Sequence, residues 1–138
     1  MDNALVDSIR ASFASQGLMG TFDAEIIEIS KGRVQIAMPI TAAVGQQHGV
    51  AQAGARFAIG DSACGYAALS MMPQGAEVMT VEMKINLIAP ADGLRLIATG
   101  EVVKPGRRLV LTRGTVAVER ADGTQREVAL LQGTMIPV

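Results

Sequence analysis

The chain has 138 residues, 49% of them hydrophobic, and a formal net charge of −1. This length predicts a single domain spanning residues 1–138, and the balanced charge excludes the strongly basic surface typical of nucleic-acid-binding proteins. Aromatic residues make up only 3% of the chain, so the core is expected to consist of aliphatic side chains and several of the eight methionines.

The first third of the chain predicts one helix and two strands. Apolar residues recur at helical spacing over residues 3–15, and Gly17 is expected to end that helix. Residues 22–29 and 33–40 alternate apolar and polar side chains around a short turn, which predicts a β-hairpin. Residues 45–49 are expected to form a loop.

A long helix is predicted over residues 53–71, because this segment is rich in small and apolar residues and is followed by Pro73. It is apolar on nearly every face, which indicates a helix enclosed by other structure. Four strands are predicted after it, and we expect them to form a meander; they lie near residues 80–87, 95–103, 109–119 and 127–136. The expected class is α+β, a curved antiparallel sheet wrapped around one long central helix.

Asp61 is the most informative residue, because it is the only carboxylate between Glu28 and Glu77 and lies within the predicted buried helix. A carboxylate there is costly unless it is hydrogen-bonded or protonated. Such acids are candidates for acid/base or nucleophilic chemistry. The alternative is a structural acid satisfied by the backbone or by Ser62.

The segment from Gln46 to Asp61 reads QQHGVAQAGARFAIGD, and Thr80 and the turn KPGRR follow further along the chain. From about residue 24 to the C-terminus, this order and spacing resemble the PaaI-type branch of the hotdog-fold acyl-CoA thioesterases, in the 4-hydroxybenzoyl-CoA thioesterase-like superfamily. That branch has Asn or Gln, a Gly three residues later, and an Asp in an Ala/Gly-rich helix. The resemblance implies the hotdog fold and hydrolysis of an acyl- or aryl-CoA to a free acid and CoA.

The resemblance also implies roles for individual residues. Asp61 would be the general base or the nucleophile, and Gln46 would hold the attacking water or the thioester group. The backbone N–H of Ala53 or Gly54 would polarise the thioester carbonyl. Thr80 stands near the position of a hydroxyl residue that assists the acid or the water.

Gln52 departs from the family, which usually has His at this position, and it is expected to orient the loop or to replace part of the function of that His. The substrate-binding residues implied by the resemblance are His48, Gly49, Lys104, Gly106, Arg107 and Arg108. Arginine side chains suit the phosphates of CoA, although the turn that carries them could equally be a solvated surface turn. No metal is implied, and no cofactor apart from the CoA of the substrate.

The spacing along the long helix predicts a site shared between two subunits. The start of a helix exposes unpaired N–H groups and a partial positive charge, which suits an oxyanion. Asp61 follows Ala53 by eight residues, or about 12 Å along the axis, so it cannot reach a carbonyl docked at the start of its own helix. A second copy related by a two-fold axis could provide the acid. Self-association as a homodimer or a dimer-of-dimers tetramer is therefore expected, in keeping with a mean hydropathy of +0.32.

Two other functions stay open. A hotdog hydratase or dehydratase would use His48 with Asp61, and a non-catalytic acyl-CoA-binding protein would account for the missing His at Gln52. The sequence leaves the acyl group open between aryl and aliphatic. Without a signal-peptide pattern, an apolar run long enough to span a membrane, or a pair of cysteines, a cytoplasmic protein with no membrane partner is expected.

Overall fold

Three α-helices and six β-strands make up the structure, a computed structural model that describes all residues 1–138. The helices are α1 Asn3–Ala14, α2 Gly17–Thr21 and α3 Ala53–Leu69, and the strands are β1 Glu25–Ser30, β2 Arg33–Pro39, β3 Val78–Leu87, β4 Arg95–Pro105, β5 Val110–Glu119 and β6 Gln125–Pro137. All of the predicted elements are present, with boundaries that differ from the predicted ones by at most three residues.

The strands form one antiparallel sheet in the order β1-β2-β4-β5-β6-β3. The predicted meander is correct for β4 to β6 and wrong for β3, which pairs with β6 instead of β4. Residues 88–94 carry the chain from β3 to β4, which pairs with β2. The alternation of side chains predicts strands but does not select their partners, because each strand offers the same backbone groups to either neighbour.

The α3 helix lies across one face of the sheet and contacts all strands from β2 to β6, so the sheet curves around it. Small residues make this close approach possible. A Cβ atom on Gly100 would lie 2.3 Å from the backbone of Ala63, and one on Gly60 would lie 2.8 Å from Leu131. Ala63 and Ala67 are fully buried, which confirms the prediction of an enclosed helix.

The N-terminal helix packs against α3 and was only partly predicted. Asp2 caps α1 by accepting a hydrogen bond from the N–H of Ala4 at 3.0 Å, and the ring of Phe13 meets the ring of Tyr66 edge to face at 6.2 Å. Gly17 does not simply end α1 but begins α2, a helix too short to show a periodic pattern. None of the three helices is both long and apolar enough to span a membrane.

Candidate active site

Asp61 and Thr80 are brought together where α3 crosses the edge strand β3. The Thr80 hydroxyl donates a hydrogen bond to Oδ1 of Asp61 at 2.7 Å. The register of β3 against β6 shifts between Thr80 and Glu82, and such a bulge changes the direction of the side chains beside it. Two elements far apart in sequence thus place a hydroxyl donor on a carboxylate.

Asp61 is half-buried, not enclosed as the sequence predicted, because its carboxylate faces a cavity at the open edge of the sheet. Burial raises the pKa of Asp61, and the hydrogen bond from Thr80 opposes that rise. A carboxylate with a raised pKa is a stronger base, and it remains a usable one as long as it is ionised.

The hydrogen bond from Thr80 predicts a shift in the pH dependence of activity. Replacing Thr80 by Val removes the donor that stabilises the ionised carboxylate, so the pKa of Asp61 should rise further. Because the base must be ionised, the acid limb of the profile of kcat/KM against pH should move to higher pH. Stopped assays from acid to neutral pH on wild type and Thr80→Val measure this, with Thr134→Val on β6 as the control. An unmoved acid limb would contradict the assigned contact.

The cavity beside Asp61 has a volume of about 250 Å³. Helix α3 provides the largest share of its lining, and the rest comes from the end of α1 with the residues just after it and from the start of β3. Ser12, Gln16 and Tyr66 line it, although none of the three was predicted from the sequence. Tyr66 is the only tyrosine of the chain and lies in a helix of small residues, and this was the one signal that could have found it. The residues of α1 could not have been found, because nothing in the sequence shows where that helix packs.

The loop before α3 is held by glutamine side chains. Oε1 of Gln46 accepts a hydrogen bond from the N–H of His48, while Oε1 of Gln52 caps α3 by accepting one from the N–H of Gly54. The side-chain nitrogen of Gln46 has no partner within the chain and can donate to a ligand. This capping contact anchors the start of α3.

The N–H of Ala53 is the donor that remains at the helix start. The N–H of Gly54 is taken by Gln52, and that of Ala55 bonds to the carbonyl of Gln52 at 3.0 Å, whereas the N–H of Ala53 has no acceptor. Of the two predicted oxyanion donors, Ala53 is therefore the one free to bind a carbonyl. The loop and the helix start do not line the Asp61 cavity of the same chain. This agrees with the rise of about 12 Å along the helix axis from Ala53 to Asp61.

Arg56 is a buried cation that was also not predicted from the sequence. Its guanidinium donates to the carbonyl oxygens of Ala89 at 2.9 Å and Val128 at 3.1 Å, with no carboxylate as partner, and burial lowers its pKa. The bond to Ala89, with a bond from the N–H of Ala51 to the carbonyl of Ala91 at 3.1 Å, ties the start of α3 to the segment after β3, and the bond to Val128 ties it to β6.

The basic turn between β4 and β5 lies at the same end of the sheet as Thr80. In the strand register Val110 pairs with Met135, and Met135 pairs with Thr80, which places the turn about 10 Å away across two strand spacings. The side chains of the predicted residues Lys104, Arg107 and Arg108 are exposed and make no ion pair. Gly106 is needed for the tight turn, since a Cβ there would lie 2.2 Å from the carbonyl oxygen of Leu109.

Cys64 lies one turn after Asp61 on α3 but has no catalytic surroundings. Its thiol is fully buried, and this burial raises the pKa to about 12. A nucleophilic cysteine needs an accessible thiolate and a neighbouring base. Cys64 therefore fills the core, where its sulfur lies against Gly114.

Comparisons with known proteins agree with this fold. The family model of the thioesterase superfamily matches residues 48–125. A thioesterase family protein from Silicibacter pomeroyi is 42% identical, with 97% of this chain and 98% of that chain covered and a TM-score of 0.94. The PaaI protein of the E. coli phenylacetic acid degradation operon is 21% identical and has a TM-score of 0.84, and the match covers 97% of this chain and 93% of that chain. At this identity the likeness shows the fold alone. None of the curated proteins compared is significantly similar in sequence.

The folded chain is thus a hotdog protein, with a curved antiparallel sheet wrapped around one long helix, as its sequence predicted. It belongs to the thioesterase superfamily.

Proposed function

We propose that this protein is an acyl-CoA thioesterase that hydrolyses an acyl- or aryl-CoA to a free acid and CoA. The observation that carries the proposal is the Asp61–Thr80 pair, a half-buried carboxylate of raised pKa that opens onto a cavity within a thioesterase-superfamily fold. Of the two acids that line this cavity, Asp61 and Glu77, only Asp61 accepts a side-chain hydrogen bond.

In the proposed reaction the Asp61 carboxylate takes a proton from water, and the water oxygen attacks the thioester carbon. The N–H of Ala53 donates to the oxyanion, and the amide nitrogen of Gln46 orients the water or the thioester. The C–S bond then breaks, and the proton held by Asp61 passes to the departing thiolate. If Asp61 is instead the nucleophile, an acyl anhydride forms and water opens it. A single turnover in oxygen-18 water distinguishes the two routes, because only the anhydride route can place label in Asp61 itself.

The site needs a second copy of the chain, and the edge strand β3 is the surface that supports one. It is unpaired on its outer side. It also exposes the apolar residues Met79, Val81 and Leu87, whose solvent-accessible fractions are 58%, 55% and 47%. An exposed apolar edge strand is prone to pair with another chain. We propose that β3 pairs antiparallel with β3 of a second copy across a two-fold axis.

This pairing would complete the site. In an antiparallel pair centred on the middle of β3, Thr80 near its beginning in one copy lies beside the end of the strand in the other. The end of β3 leads directly to Ala89 and Ala91, which hold the start of α3. The Ala53 N–H of one copy would thereby approach the Asp61 cavity of the other, and a dimer or a tetramer of two such dimers would contain these sites.

The basic turn is proposed to bind the phosphates of CoA. Replacing Arg107 and Arg108 by Ala should raise KM for an acyl-CoA about 3- to 10-fold with little change in kcat, because exposed charge pairs contribute modestly and equally in the ground and transition states. The matched control substrate is the acyl-pantetheine, which keeps the thioester but carries no phosphate. A KM that rises equally for both substrates would show that the arginines do not bind phosphate.

A thiol-release assay across aryl- and aliphatic acyl-CoAs tests the proposed function, because hydrolysis liberates free CoA whereas hydration or simple binding does not. We expect release that depends on enzyme concentration for at least one class. If the thioester absorbance stays unchanged for every acyl-CoA in the series while the acyl-CoAs still bind, the protein is instead a non-catalytic binder. The hydratase alternative has less support, because the family model and the 42% identical structure that match this chain are both of thioesterases.

A further inference from the structure

The cavity at Asp61 has a polar wall formed by Ser12 of α1, Gln16 just after that helix, and Tyr66 of α3. Tyr66 follows Asp61 by five residues, about 7.5 Å further along the helix axis. Its hydroxyl accepts a hydrogen bond from Nε2 of Gln16 at 2.8 Å and shares another with the hydroxyl of Ser12 at 3.0 Å. The ring itself is buried, so this hydroxyl is held in place at the cavity surface.

The Tyr66–Ser12 pair always has one O–H without a partner. Two hydroxyls carry two protons, the bond between them uses one, and neither oxygen donates to any other group in the chain. A donor fixed by neighbouring hydrogen bonds in the wall of a cavity is suited to bind an acceptor on a ligand. The wall is thus prepared for a polar group.

The charges of the cavity limit which polar group is suitable. Asp61 and Glu77 both line it, and no Lys, Arg or His does. A carboxylate at the end of an acyl chain would be repelled by two acids with no cation to compensate. A plain hydrocarbon chain would cover the polar wall without forming a hydrogen bond to it. A buried polar group without a hydrogen-bond partner is unfavourable.

We propose that Tyr66 and Ser12, with Gln16 holding the tyrosine hydroxyl, select acyl groups that carry an uncharged hydrogen-bonding group, such as a hydroxyl or an oxo group, beyond the thioester. This selection rests on the proposed thioesterase function and assigns a specificity to the same site. The rise of about 7.5 Å along the helix axis sets the scale of the acyl chain, because roughly six bonds span it.

Three CoA thioesters of equal chain length test this selection: ω-hydroxyhexanoyl-CoA, hexanoyl-CoA and adipyl-CoA. Wild type should have the highest kcat/KM for the hydroxyacyl substrate and the lowest for the adipyl substrate. The double variant Ser12→Ala/Tyr66→Phe removes both hydroxyls and keeps the ring contact with Phe13. Its preference for the hydroxyacyl over the plain acyl substrate should fall about tenfold, mainly through the hydroxyacyl value. Tyr66→Phe alone should give a smaller fall and is the variant to use if the double one does not fold.

Phe13→Leu is the matched control, because it alters the apolar contact with the Tyr66 ring and keeps all three polar side chains of the wall; its preference should equal that of wild type. Equal kcat/KM of wild type for the hydroxyacyl and plain acyl substrates, or a preference unchanged in the double variant, would overturn the selection. If wild type hydrolyses none of the three, the proposed function is decided by the aryl-CoA substrates of the thiol-release assay. The dissociation constants of the intact hydroxyacyl and plain acyl thioesters then decide the selection separately. Their ratio is compared between wild type and the variant that lacks the two protein hydroxyls.

Discussion

Replacing Asp61 by Asn should lower kcat by about 10²- to 10⁴-fold, the range associated with loss of a positioned general base. The amide keeps the shape of the carboxyl group and can still accept from Thr80, so the geometry of the site is preserved. Steady-state thiol release under saturating acyl-CoA measures the effect. Activity within a few-fold of wild type would rule out Asp61 as base or nucleophile.

The same variant should be at least as stable as wild type. Because burial raises the pKa of Asp61 in the folded state, ionising this group costs stability as pH rises from its unfolded value through its folded one. Asn carries no charge and avoids that cost at neutral pH. A Tm equal to or above that of wild type at neutral pH, and lost activity in the same preparation, would separate catalysis from folding. A markedly lower Tm would leave unfolding as the cause of lost activity.

Replacing Ala53 by Pro should lower kcat by about 10²- to 10³-fold, the effect of removing one oxyanion donor. Proline has no N–H, and Ala53 is the first residue of α3, where proline fits a helix best. Gln52 before it already has the extended backbone, with φ −68° and ψ 147°, that a following proline requires. The substitution therefore deletes one atom group with little change in the helix.

The matched control is Ala42→Pro, at the start of a short 3₁₀ turn whose N–H groups have no proposed part in catalysis. It should reduce kcat by less than twofold. Equal losses in the two variants would mean that loop disturbance explains the effect of Ala53→Pro. A kcat near that of wild type in Ala53→Pro would exclude its N–H as the oxyanion donor.

The sequence predicts the elements better than it predicts their arrangement. The enclosed α3 was predictable because small and apolar residues cover all its faces, and the strands because their side chains alternate. The partner of β3 was not, since the edge position depends on how residues 88–94 cross the sheet. The eight-residue spacing from Ala53 to Asp61 was enough to predict that the acid lies too far from its own helix start to act there, because the rise per residue of a helix is fixed.

For the site, the Asp61–Thr80 contact followed from resemblance, and the structure adds its geometry. Which N–H groups at the start of α3 are free was not predictable, because the loop conformation decides whether the Gln52 side chain accepts from the N–H of Gly54. Tyr66, Ser12 and Gln16 were missed for a related reason: their contacts join residues separated by at least 50 positions. Side-chain hydrogen bonds between distant segments leave no periodic pattern in one sequence.

The central claim is that each site takes Asp61 from one copy and Ala53 from another, and mixing two inactive variants tests it most directly. Asp61→Asn and Ala53→Pro chains, unfolded and refolded together in equal amounts, should form hybrid dimers in which one of two sites is intact. Random pairing makes half of the dimers hybrid, so about one quarter of wild-type activity should return. Each variant refolded alone should stay inactive. If the mixture is as inactive as its parts while hybrid dimers are present by native mass spectrometry, the site lies within one chain and the claim is wrong.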